Sequence, residues 1–121
     1  MSAHHFKETK VYQKAFDLAM EIFELTKSFP PEEKFSPTDQ IRRSSRSVCA
    51  SISEAYRKKL YPAHFVSKLT NADMENSETG VWLDFAGSCH YISQEQLQKL
   101  TISNEEIGRM LGHMICNSKN Y

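Results

Sequence analysis

Six basic side chains offer the most concentrated chemistry in this sequence. Arg42, Arg43, Arg46, Arg57, Lys58 and Lys59 lie within residues 37–60, where only Asp39 and Glu54 oppose them. At about 100° per residue the four arginines spread over about 100° of one helix, away from the direction of Ile41 and Ile52. The arginine fork matches phosphate geometry, so this face is a candidate contact for RNA or DNA. It reads equally as a solvated surface, or as one half of an ion-paired interface. Residues 61–121 are acidic in balance, with Lys68, Lys99, Arg109 and Lys119 against seven carboxylates, which predicts head-to-side assembly of copies. Over the whole chain 15 Lys+Arg meet 15 Asp+Glu, so no net field draws in a polyanion or an anionic membrane.

Other chemistry finds less support. His4 and His5 are adjacent and terminal, while His64, His90 and His113 show no H-x-x-x-H or E-x-x-H spacing, so no metal site is expected. Asp73 and Glu75 do not share a helix face. Cys49, Cys89 and Cys116 are expected as small buried hydrophobes, because nothing sets an orienting group beside a cysteine–histidine pair. Glycine-rich phosphate loops and a G-x-S-x-G elbow are absent from the sequence. Glu54 is the carboxylate to watch: its partner is either Lys58, one turn on, or an arginine of another helix or subunit. The expectation is therefore a protein without catalytic residues, cofactor or small-molecule substrate.

The elements that must position these residues are helices. Val11, Ala15, Leu18, Ile22, Leu25 and Phe29 step by four and three, and Tyr12, Phe16, Ala19 and Phe23 widen that stripe. Pro30 and Pro31 end the run. Ser36 is a good N-cap, Pro37 suits the first helical position, and Asp39 favours the positive end of the dipole. Ile41, Ser45, Val48, Ile52 and Ala55 form the second stripe. Pro62 opens a third helix with Phe65, Leu69, Ala72, Asn76, Thr79, Leu83 and Ala86 on one side. Ser93 and Gln96 make a capping box before Leu97, Leu100, Asn104, Ile107, Leu111 and Met114. Helices are thus expected over about residues 9–29, 37–59, 62–89 and 94–117. Their short connections predict an all-α, antiparallel up-down-up-down four-helix bundle, one domain over residues 1–121.

One bundle does not use all of this surface. Met74, Glu78, Val81 and Phe85 lie roughly opposite the stripe through Leu69 and Leu83, with Trp82 between. Large apolar patches are rarely left in water, so a sister chain is expected to cover them. Ser44, Ser47 and Ser51 on the second helix permit close backbone approach and are assigned to the same interface. Gly108 and Gly112 suggest tight packing on the fourth helix, because each costs roughly 1 kcal/mol there relative to alanine. An odd number of cysteines without C-x-x-C spacing, no apolar run of membrane length and no apolar leader predict a cytoplasmic protein.

The order of features resembles a known family. Val11-Tyr12-Gln13-Lys14-Ala15, Phe29-Pro30, Gln40-Ile41-Arg42-Arg43-Ser44, Ile52-x-Glu54-x-Tyr56, residues 72–78 and Tyr91-Ile92-Ser93 follow the pattern of the bacterial 23S rRNA intervening-sequence proteins. The accessory variability proteins of diversity-generating retroelements are similar. The resemblance implies a left-handed antiparallel bundle that assembles as a homopentamer and lacks catalytic activity. It also implies, through the accessory members, contact with nucleic acid and a reverse transcriptase. Where that family has a proline and an asparagine in its second helix, this chain reads Val48-Cys49-Ala50-Ser51, and it is neutral where the accessory proteins are basic.

Overall fold

Apolar period and end signals place four helices where the stripes run. In the computed structural model, which describes residues 5–33 and 37–121, α1 spans Lys10–Thr26, α2 Pro37–Arg57, α3 Pro62–Ser88 and α4 Gln94–Cys116. Short 3-10 turns occupy Phe6–Glu8, Pro31–Glu33 and Ser118–Asn120, and no strand occurs among the described residues. Thr9 caps α1 by accepting from Tyr12 N at 3.2 Å. Ser93 and Gln96 close the expected capping box at 2.8 and 3.0 Å. Pro37 opens α2 and Asp39 sits in its first turn, whereas Ser36, expected as its cap, lies outside the described residues.

The first helix ends earlier than its apolar stripe. Lys27, Ser28 and Phe29 bond back to Glu24, Leu25 and Thr26, so the chain tightens into 3-10 turns before Pro30. Phe29 still reaches the core, but from the connection.

The interior is built from one stripe per helix: Val11, Leu18 and Ile22, then Ile41, Val48 and Ile52, then Phe65, Leu69 and Leu83, then Leu100, Ile107 and Leu111. Complete burial of a leucine such as Leu69 or Leu111 stabilises by about 1.5–3 kcal/mol. One expectation is corrected here. Phe16 is 47% exposed, and Tyr12 and Phe23 are half-buried, so of the four widening residues on α1 only Ala19 is fully buried. α1 packs mainly on α2 and α4, and Phe16 lies outside those seams with its ring stacked on Tyr12.

Contacts between helices fix their directions, because along each seam one residue number rises as the other falls. Thr79 faces Ser44 while Lys68 faces Glu54. Lys14 faces Glu106 while Glu21 faces Lys99. Leu97 faces Gly87 while Asn104 faces Gly80. On the α1–α2 seam, Thr26 meets Arg42 and Phe23 meets Arg46. Each neighbouring pair is antiparallel, as an up-down-up-down bundle requires.

A polar clamp sits in the α3–α4 seam. Asn76 Nδ2 donates to the Asn104 carbonyl at 2.9 Å, and Asn104 Nδ2 donates to the Asn76 carbonyl at 2.9 Å and to Asn76 Oδ1 at 3.0 Å. Each amide lies against a glycine of the other helix. A Cβ on Gly80 would meet Asn104 Oδ1 at 2.7 Å, and one on Gly108 would meet Asn76 Nδ2 at 3.3 Å. The repeated Asn-x-x-x-Gly spacing therefore brings the two backbones together and satisfies two buried amides.

The α3–α4 turn reverses at His90, whose φ is 62°. Tyr91 N bonds to Ala86 O at 2.9 Å and His90 N to Gly87 O at 3.1 Å, which is the Schellman pattern with histidine where glycine is usual. Tyr91 then ties this turn to the α1–α2 connection. Its hydroxyl donates to Glu33 Oε2 at 2.5 Å, and its ring centroid lies 5.2 Å from that of Phe29.

Candidate functional site

The outward side of α3 carries the least covered apolar surface. Met74, Val81 and Phe85, spaced seven and four apart, are 59%, 51% and 53% exposed. Trp82 is half-buried beside them: its indole N–H donates to Glu78 Oε2 at 3.0 Å, and its ring centroid lies 5.8 Å from that of Phe85. With its polar atom satisfied by Glu78, the indole adds an apolar flank to the strip. The opposite side of α3 is filled by α2 and α4, so both faces of this helix are apolar and only one is covered within the chain.

The serines expected on the same interface belong elsewhere. Ser44 is 1% exposed and its Oγ lies 2.8 Å from Thr79 Oγ1, while Ser51 is buried and Ser47 half-buried. The small stripe of α2 is what lets α3 approach it inside one bundle. In a sequence, a serine whose hydroxyl is satisfied within the core looks like a surface serine. Gly108 is likewise used within the chain, against Asn76, whereas nothing lies within 4 Å of a Cβ on Gly112.

The six basic residues form two clusters and not one face. Near the start of α2, Arg42 donates from Nε to Thr26 Oγ1 at 2.7 Å. Its guanidinium carbon stands 4.8 Å from the Phe23 ring centroid, with Arg46 at 5.5 Å and Lys27 at 4.9 Å from the same ring. At the other end Lys58 stands over Tyr61 at 5.6 Å and Lys59 over Tyr56 at 5.4 Å, next to the exposed Arg57. Fifteen residues separate Arg42 from Arg57, about 22 Å along the axis. Arg43 is exposed beside the first cluster. Among the described residues none of the six pairs with a carboxylate. Cation–π contact explains why Arg42, Arg46, Lys58 and Lys59 lie over aromatic rings without needing an anion.

Glu54 has neither of its expected partners. It is exposed and pairs with Lys68 Nζ at 3.2 Å, because the antiparallel α3 brings that lysine opposite it. The thiols also depart from expectation. Cys49 is half-buried, but Cys89 and Cys116 are exposed, since they fall at the ends of α3 and α4 where the core has closed. Burial pushes the Cys49 thiol up to about 11, away from the reactive thiolate. The Glu33 carboxylate holds the proton of Tyr91 and pushes that phenol up to about 12. No group of three or more His, Cys, Asp or Glu side chains among the described residues could hold a metal ion, and His4 lies outside them. No helix among them is long and apolar enough to cross a membrane.

Comparison with known proteins places this geometry. The family model described as 23S rRNA-intervening sequence protein matches residues 7–113. The chain is similar to a crystal structure from Bacteroides thetaiotaomicron, a protein of unknown function from the S23 ribosomal protein family. The two are 33% identical, with a TM-score of 0.80 over 88% of this chain and 96% of that one. No curated protein matches the chain at a significant level.

Proposed function

This chain belongs to the 23S rRNA-intervening sequence protein family, and on that premise we propose that it is a non-catalytic subunit of a homo-oligomer that presents binding surface to another macromolecule. The observation that carries the reading is the strip Met74, Val81 and Phe85, flanked by Trp82, on a helix already buried along its other side. A second copy covering it removes apolar area from water at about 25 cal/mol per Å². The resemblance drawn from the sequence implies a pentamer, and an odd number of cysteines without C-x-x-C spacing points to the cytoplasm as its setting. Cys49 and Tyr91 are both held more firmly protonated, the reverse of an activated nucleophile.

The test is the double substitution Val81→Glu with Phe85→Glu, followed by light scattering and circular dichroism at micromolar concentration. The wild type should scatter as a multiple of 14.0 kDa and the variant as the single chain, with helicity retained. A wild type that is already a single chain, or a variant of unchanged mass, overturns the assembly.

A second reading, a nucleic-acid accessory protein that reads backbone charge beside a reverse transcriptase, is favoured by Arg43 and Arg57, which are exposed and form no ion pair among the described residues. Binding to mixed RNA should then fall steeply as salt rises. No binding at low salt removes this reading and leaves the first intact.

A further inference from the structure

One end of the bundle opens into a groove that lies away from the apolar strip of α3 and shares only Lys59 with the basic residues of α2. Its volume is about 810 Å³, inside the range of small-molecule sites. The start of α1 supplies Glu8, Lys10 and Val11, the end of α2 supplies Tyr56 and Lys59, and the last turns of α4 supply Arg109, Met110, His113 and Met114. Tyr121 completes the wall, its hydroxyl 2.8 Å from His113 Nδ1 and its ring against the imidazole at 6.1 Å between centroids. Lys10, Lys59 and Arg109 pair with no carboxylate among the described residues, and Glu8 is the one carboxylate among the lining side chains.

We propose that this groove binds a phosphate monoester carried on a flat apolar ring, as in a nucleoside monophosphate. Three cationic side chains against the one carboxylate side chain of Glu8 leave a positive surplus, and a phosphate monoester brings about −1.5 to −2 at neutral pH. Tyr121 and Met110, with the edges of the buried Tyr56 and Met114 behind them, offer aromatic and polarizable surface to a planar ring. Helix dipoles account for a cation near the ends of α2 and α4. They do not account for an open, aromatic-walled groove beside those cations. The same chemistry could come from a free mononucleotide or from the phosphorylated end of a strand.

Calorimetric titration of the full chain separates the cases, with adenosine monophosphate, adenosine and inorganic phosphate as probes. Adenosine monophosphate should bind with a Kd below about 1 mM, and adenosine and phosphate at least about tenfold more weakly. Arg109→Ala and Lys59→Ala should each weaken it about tenfold, as expected for a lost charge-assisted bond, while Lys99→Ala, outside the groove, leaves it unchanged. Circular dichroism confirms that each variant is folded. A terminally phosphorylated oligonucleotide that binds more tightly than both its hydroxyl-ended twin and the mononucleotide supports the strand end as the source. The reverse order supports the free nucleotide. No binding of adenosine monophosphate at millimolar concentration, equal binding of adenosine, or indifference to both Arg109→Ala and Lys59→Ala overturns the proposal.

Discussion

Replacing Gly80 by alanine sets helix propensity against the polar clamp, and the clamp should win. Removing a glycine from a helix interior gains about 1 kcal/mol. The added Cβ, however, would stand 2.7 Å from Asn104 Oδ1, well inside contact distance. Asn104 is 8% exposed and its amide is held by bonds of 2.9 and 3.0 Å, so it cannot swing away freely. Moving it gives up two hydrogen bonds at about 1 kcal/mol each and leaves buried groups of Asn76 short of a partner, about 1 kcal/mol or more. The net is a loss of about 2 kcal/mol, a fall in Tm of about 8 °C for a chain this size. Gly112→Ala is the matched control. Nothing lies within 4 Å of its Cβ, so the same substitution on α4, two turns beyond Asn104, should raise Tm by about 4 °C. Thermal unfolding by circular dichroism reads both. In an Asn104→Ala background the cost of Gly80→Ala should vanish and the propensity gain return. Shifts of the same sign at the two glycines, or a cost that survives without Asn104, would show that the amide is not what glycine makes room for.

Three further outcomes follow from the turn, the phenol and the thiols. His90→Gly should stabilise by about 0.5–1 kcal/mol, because a φ of 62° strains a side chain that glycine lacks; a lower Tm would contradict the Schellman assignment. Ultraviolet titration should show a tyrosine ionising near pH 12, and Tyr91→Phe should remove that step. Because its folded pKa is raised from 10.0 to about 12, the stability Tyr91 adds is fully present below pH 10 and lost between there and pH 12; a Tyr91→Phe difference that grows with alkali would have the wrong sign. An aromatic disulfide reagent should modify Cys89 and Cys116 in the folded protein, and Cys49 only on unfolding; rapid modification of all three would place Cys49 at the surface.

The helices and their core sides were legible because burial along a helix repeats every three to four residues. Every member of the α3 stripe from Phe65 to Ala86 is buried as its spacing predicts. The second apolar side of α3 was legible for the same reason. What period does not encode is register between helices, and the errors gather there. Ser44 and Ser51 read as residues of a subunit interface because their burial inside one chain depends on which helix arrives opposite, as Thr79 does at Ser44. For Glu54 the sequence offers Lys58 on its own helix or an arginine of another helix or subunit, whereas its partner is a lysine across the seam, Lys68. The basic residues project onto one arc when viewed down the axis, but the view along it separates Arg42 from Arg57. The signal that went unread was Asn76-x-x-x-Gly80 and its echo Asn104-x-x-x-Gly108: a polar residue on an apolar stripe with a glycine one turn later, twice.

That echo makes the α3–α4 pair an indexed joint. Sliding one helix past the other by a single turn, about 5.4 Å, would carry both amides off their carbonyls and press ordinary side chains where the glycines had made room. No intermediate stop is available, so the hairpin has one seat and resists gradual creep. The cross-bundle ties of α1 to α4 include the pairs Lys14–Glu106 and Lys99–Glu21, which lie at the surface. Such pairs part at little cost and are screened by salt, whereas the amide clamp of α3 and α4 is buried and keeps its strength as salt rises.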